Sequence, residues 1–161
     1  MSGGALPSSL LCAALGLALA VAPKRASASC FVALGLTATA VAFLPLPSGW
    51  RGMTLLGCWV SIIASAASVH LRGGLDARLA VGLSVNAGLW SGAIIALTGL
   101  RTDLPVVLAS ALVFLPAAWI TGRRLSIVVK TLSSWLIAIA LLAATLQLLP
   151  VTPGYLPDHL E

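Results

Sequence analysis

The chain has 161 residues, of which 60% are hydrophobic and 8% charged, and its formal net charge is +5. Soluble domains carry roughly 25% charged residues, so this composition excludes water as the solvent for most of the surface. The basic residues stand in ones and twos between apolar runs, which argues against nucleic-acid binding and favours a role in membrane topology. The sequence therefore predicts an all-α integral membrane protein whose first partner is the lipid bilayer.

Apolar segments account for most of the chain, and each is close to the about 20 residues that a helix needs to cross a bilayer. These segments cover residues 6–22, 29–46, 52–71, 79–100, 104–121 and 125–149. We expect a bundle of six transmembrane helices in a single membrane domain, residues 1–149, followed by a short polar tail, 150–161. No Lys or Arg precedes the first segment, so we expect it to be a membrane span and not a cleaved signal peptide.

Prolines mark two features of these predicted helices. Pro45 lies in the turn signal that ends the second segment, because proline cannot continue the backbone hydrogen-bond pattern. Pro116 stands well inside the fifth segment, where it predicts a kink.

Small residues at every fourth position predict close helix packing in the third and fourth segments. Residues at this spacing share one side of a helix, and small side chains there let a neighbouring helix approach closely. The two faces consist of Gly57, Ser61 and Ser65 in the third segment, and of Ser84, Gly88 and Gly92 in the fourth. We expect the fourth segment to be the centre of the bundle and the face of the third segment to suit it.

The distribution of Lys and Arg predicts the orientation of the bundle. One side would hold Lys24, Arg25, Arg72, Arg78, Arg123, Arg124 and Lys130, and the other side Arg51 and Arg101. Because basic residues collect in cytoplasmic loops, both termini should face the periplasm or exterior of, most simply, a bacterial inner membrane. The seven residues on the cytoplasmic side are expected to anchor the protein at lipid headgroups.

Two similar stretches suggest an internal repeat. Residues 38–45 read ATAVAFLP and residues 109–116 read ASALVFLP. Repeat units of residues 1–72 and 73–149 would each hold three helices, and an odd number makes the second unit inverted relative to the first, as in many secondary transporters. The alternative is chance agreement between alanine- and leucine-rich segments.

Residues that carry out chemistry are not predicted to gather inside the membrane. The acidic and histidine side chains fall in loops or in the tail, at Asp76, Asp103, Asp158, Glu161, His70 and His159. Three cysteines, Cys12, Cys30 and Cys58, have no metal-ligand spacing and are expected to pack as small hydrophobes. We predict no catalytic residue, no metal site and no cofactor, and therefore no enzyme.

Asn86 is the polar residue of interest within the fourth segment, and two interpretations remain open. An amide at this depth needs a partner, which a hydrogen bond to the third or sixth helix would supply. Alternatively, Asn86 contacts a solute near the midplane, with Trp90 and Trp135 as walls of the site.

Two functions follow from these features. The first is a structural or accessory subunit of a membrane complex, which binds a membrane protein partner or a second copy and performs no chemistry. The alternative is a small inverted-repeat transporter for a neutral, lipidic or anionic solute. The absence of predicted carboxylates within the membrane favours the first, since cation-coupled carriers usually hold one there, and the repeat favours the second.

Overall fold

The structure, a computed structural model, describes residues 5–71, 74–98, 103–122 and 126–149. This part of the chain is helical and contains no strand. The helices are α1 (Ala5–Leu19), α2 (Ser27–Ala42), α3 (Arg51–Ser68), α4 (Ala77–Thr98), α5 (Leu104–Ser110), α6 (Phe114–Gly122) and α7 (Ser126–Leu148). A 3-10 turn, Ala111–Val113, joins α5 to α6, so the two form one interrupted helix and the described residues contain six helices.

The six predicted helical segments are confirmed within the described residues, and three of them, α1, α2 and α3, end three or four residues early. Helix α2 stops at Ala42, four residues before the predicted end at residue 46. A helical conformation is unfavourable for the residue that precedes a proline, so Pro45 disfavours helix at the residues on its N-terminal side. Leu44 instead donates a backbone hydrogen bond of 3.0 Å to Val41 in a tight turn. The predicted tail, 150–161, lies outside the described residues.

Three helices are long and apolar enough to cross a membrane. They are Ala77–Thr98, Leu104–Thr121 and Ile127–Leu148. Helices α1 and α2 are apolar but shorter, and α3 is not among the candidate spans. Length and composition thus support a membrane protein with three candidate spans, and the crossing of the other helices stays a prediction.

Helix α1 is the most deeply buried element. Leu11, Cys12, Ala14, Leu15 and Ala18 are all fully buried. The helix contacts α3, α4, α5, α6 and α7, so protein surrounds it on most sides. A helix that is apolar all round is typical of such a position.

The interrupted helix has its break one turn ahead of Pro116. Proline lacks the N–H that would reach back to the preceding turn, and its ring collides with the carbonyl of the residue four positions earlier. The 3-10 turn occupies this place. Gly16 of α1 faces it so closely that a Cβ atom on Gly16 would lie 2.9 Å from the carbonyl oxygen of Ala111 and from the backbone nitrogen of Phe114.

The packing order relates the two halves of the chain. Helix α2 packs mainly on α4, and α5 and α6 pack mainly on α1. Helices α3 and α7 pack on each other. The second helix of each half therefore lies against the first helix of the other half.

Candidate functional site

A polar bridge joins α4 to α3 at Asn86. The side-chain nitrogen of Asn86 donates a hydrogen bond of 2.6 Å to the hydroxyl of Ser61. The side-chain oxygen of Asn86 accepts a hydrogen bond of 3.0 Å from the indole N–H of Trp90, one turn further along α4. Both ends of the amide therefore have partners within the protein.

Trp90 fills the space beside this bridge. Its ring lies over Gly57 of α3, so that a methyl group on Gly57 would overlap the indole. Gly57 and Ser61 are one turn apart, which places the glycine under the ring and the serine under the amide. The small-residue face of α3 thus receives the side chains of Asn86 and Trp90 from α4.

The glycine face of α4 packs against α2. A Cβ atom on Gly88 would overlap the hydroxyl of Thr37 and lie 2.8 Å from the carbonyl oxygen of Leu34. One on Gly92 would lie 2.9 Å from Cβ of Val41. We expected the small face of α3 to suit this helix, and it does so through Asn86 and Trp90, while the glycines meet α2. Residues 86 and 88 point in opposite directions because they differ by about 200° around a helix.

The remaining two predicted packing residues are fully buried. Ser84 donates a hydrogen bond of 2.9 Å to the carbonyl oxygen of Ala80 in its own helix. Ser65 of α3 is buried, and its hydroxyl has no hydrogen-bond partner within residues 5–71, 74–98, 103–122 and 126–149. Both serines act as small residues at crowded positions.

Trp135 does not share the environment of Asn86. It lies on α7, and 63% of its surface is exposed. The structure therefore brings Asn86 and Trp90 together and leaves Trp135 on the outer surface of the bundle.

A second polar cluster surrounds α1, and sequence reasoning missed it. Sγ of Cys12 lies 3.7 Å from the hydroxyl of Ser91 on α4. Sγ of Cys58 on α3 lies 3.5 Å from the carbonyl oxygen of Pro7, and Ser110 on α5 donates a bond of 3.1 Å to the carbonyl oxygen of Ser9. All three cysteines are buried and free. The cluster ties α1 to three neighbours, and no spacing in the sequence points to it.

His70 joins the end of α3 to α7. Nε2 of His70 lies 3.1 Å from the hydroxyl of Ser133 and 3.4 Å from that of Ser134. The Ser133 hydroxyl donates to the carbonyl oxygen of Lys130 at 2.9 Å, so it accepts from His70. The sequence placed this histidine in a loop and gave no indication of the contact.

The predicted headgroup anchors lie only partly within the described residues. Arg25, Arg78 and Lys130 are exposed. The backbone of Lys24 belongs to a 3-10 turn, Lys24–Ala26. Arg72, Arg123 and Arg124 lie outside the described residues.

The described residues contain no group of three or more His, Cys, Asp and Glu side chains close enough to hold a metal ion. The arrangement they do contain is a set of short polar contacts between helices, centred on Asn86 and on Cys12. Such contacts hold helices in register in a membrane.

No protein-family model, curated protein or solved structure matches this chain.

Proposed function

We propose that this protein is a structural or accessory subunit of a membrane complex and performs no chemistry of its own. The observation that carries the proposal is the bridge between Asn86, Ser61 and Trp90. These hydrogen bonds give the Asn86 amide partners on α3 and on its own helix, as expected of a residue that holds helices together. Here one donor and the oxygen are engaged inside the bundle, and Trp90 occupies the space above Gly57.

Membrane insertion with six spans is part of this proposal. Three helices satisfy the length and hydropathy that a span requires. Helix α1, with 15 residues, would be about 22 Å long at 1.5 Å per residue, shorter than the about 30 Å hydrocarbon core. A short helix can still cross the membrane where protein, and not lipid, surrounds it. The burial of α1 among other helices therefore supports a membrane-crossing position.

The proposed orientation places both termini outside and the connections α1–α2, α3–α4 and α6–α7 in the cytoplasm. Exposed Arg25 and Arg78 lie on that proposed cytoplasmic side, and Arg51 lies near the opposite one. The excess of basic residues on one side supports this orientation and a bacterial inner membrane location.

Transport is the second candidate function, and the packing order favours it. Helix α2 packs on the first helix of the second half, and the α5–α6 helix packs on the first helix of the first half. Two inverted three-helix units would produce this arrangement. The break at Ala111–Val113 resembles the interrupted helices that line transporter sites. A solute would then bind near Asn86 and displace one of its present partners.

Affinity purification of the full chain from native membranes in mild detergent, followed by mass spectrometry, tests the proposal. We expect a membrane protein at constant stoichiometry with this chain, either a different protein or a second copy. A tagged membrane protein of similar size from the same cells is the control for adventitious binding. Recovery of the chain alone, as a monomer, would overturn the accessory role and direct attention to transport.

A further inference from the structure

We propose that a cleft between α1, α2 and α6 binds one anionic phospholipid, with an acyl chain inside the cleft and the phosphate at its mouth. The proposal rests on the membrane insertion argued above. The cleft has a volume of about 370 Å³. Its walls include Leu19, Ala20, Ala22, Ser27, Phe114 and Ala118. Cavities that bind small molecules usually measure roughly 300–1,000 Å³, so this one lies within the range.

The walls of the cleft suit a hydrocarbon chain. Leu19, Phe114 and Ala118 are apolar, and they come from the last residue of α1 and from the first and middle residues of α6. Thr121 also lines the cleft, but its hydroxyl already donates a hydrogen bond of 2.8 Å to the carbonyl oxygen of Ala117. An ion or a sugar would find few polar partners on these walls, whereas an acyl chain needs none.

One polar group in the cleft lacks a partner. The hydroxyl oxygen of Ser27 is buried, and within the part of the chain that the structure describes it has no hydrogen-bond partner. Leaving a buried hydroxyl unpaired costs free energy, roughly 1–3 kcal/mol in proteins. A phosphate or ester oxygen at this position would accept the hydrogen bond from Ser27.

The charge around the mouth favours an anionic headgroup. Arg25 is exposed in the turn Lys24–Ala26, two residues before Ser27. Helix α2 begins at Ser27, so the positive end of its helix dipole also lies beside this hydroxyl. Asp76 is the described carboxylate at this end of the bundle, and it accepts a hydrogen bond of 2.8 Å from the backbone N–H of Ala77. These groups together provide a basic mouth above an apolar cleft, which matches a phosphate attached to acyl chains.

Lipid retention by the purified full-length protein tests the proposal. The chain is prepared in detergent with equal amounts of phosphatidylglycerol and phosphatidylethanolamine, and bound lipid is counted by native mass spectrometry. We expect one retained phosphatidylglycerol per chain. Arg25→Gln should lower its retention about fivefold, because one basic side chain near an anionic lipid has an effect of that size. Ala118→Phe should abolish retention, because the added ring fills the cleft.

Arg78→Gln is the matched control. It removes the same charge at the same end of the bundle, but Arg78 lies on α4, which contributes no residue to the cleft, whereas Arg25 lies in the turn between the cleft residues Ala22 and Ser27. We expect its retention to stay within twofold of the unmodified protein. Equal losses in Arg25→Gln and Arg78→Gln, or equal retention of the two lipids, would overturn the proposal.

A further variant tests the lipid site independently of Ala118, and a fractionation step tests membrane insertion independently of lipid binding. If Ala118→Phe fails to fold, Ser27→Ala removes the hydroxyl and adds no bulk to the cleft, and unchanged retention in that variant would overturn the proposal. Carbonate-washed membranes report insertion separately. A chain that is inserted but retains no lipid contradicts the lipid site alone, whereas a chain absent from washed membranes contradicts the proposed function as well.

Discussion

The amide of Asn86 on α4 donates a hydrogen bond to the hydroxyl of Ser61 on α3, with 2.6 Å between nitrogen and oxygen. Trp90 donates to the same amide from the other side. An amide held in this way fixes the rotation of α4 relative to α3, since turning either helix would separate the groups. It is the clearest sign that the interior of this bundle serves its own assembly.

Asn86→Leu should destabilise the protein by about 1–2 kcal/mol, because a hydrogen bond between membrane helices contributes roughly 0.6–1.7 kcal/mol. The change removes one such bond, to Ser61 of α3, and also the bond from Trp90 within α4. The free energy of unfolding in mixed detergent micelles measures the effect. Val85→Leu, at the neighbouring and partly exposed position, is the control and should change little. An Asn86→Leu protein of full stability that loses uptake of a solute would favour the transporter.

Gly88→Leu should prevent α2 from packing on α4. Even a Cβ atom at Gly88 would meet the hydroxyl of Thr37 and the backbone of Leu34, and the backbone has no room to yield. We expect loss of the monodisperse peak in size-exclusion chromatography. Gly82→Leu, in the same helix with no heavy atom within 4 Å of the added Cβ, should leave the peak unchanged. If the two variants eluted alike, the close approach of α2 at Gly88 would not be needed for folding of the bundle.

Gly57 and Trp90 should be energetically coupled. Gly57→Val forces the indole ring away and should cost about 1–3 kcal/mol, as overpacking usually does. In a Trp90→Ala background the same substitution should cost at least about 1 kcal/mol less. A control double-mutant cycle combines Gly52→Val with Trp90→Ala. It should show no coupling, because a Cβ atom added at Gly52 has open space around it. Additive free energies for Gly57 and Trp90 would contradict the contact.

The six helical segments could be predicted because length, apolar composition and the turn signals around them are local properties. The exact end of a helix is harder to predict. Helix α2 ends at Ala42, because Pro45 disfavours helix at the residues that precede it. A hydrogen-bond partner for Asn86 could also be expected from the cost of an unpaired amide in hydrocarbon. The choice of Ser61 as that partner required the structure.

The pairing of helices was harder to predict. Small residues identify a face that can be approached closely, but they do not specify which helix approaches. The glycines of α4 meet α2 at Leu34, Thr37, Ala38 and Val41, a face of mixed side-chain size. The contact between His70 and Ser133 joins residues 63 positions apart, and neither has a distinctive sequence context. Such long-range contacts follow from the packing of the whole bundle.

The sidedness of single cysteines tests whether the helices outside the three candidate spans cross the membrane, as a six-span bundle requires. Cys12, Cys30 and Cys58, which are buried and free, are first replaced by alanine. Pro23→Cys, Ser48→Cys and Leu71→Cys are then introduced one at a time, at exposed positions around α2 and α3. These positions flank two helices that lie outside the three candidate spans.

A membrane-impermeant maleimide applied to intact cells should label Ser48→Cys alone, and permeabilised cells should allow labelling of all three. This pattern requires both α2 and α3 to cross the bilayer, with the basic connections inside. Labelling of Ser48→Cys and Pro23→Cys from the same side would mean that α2 does not cross. That result would contradict the six-span bundle.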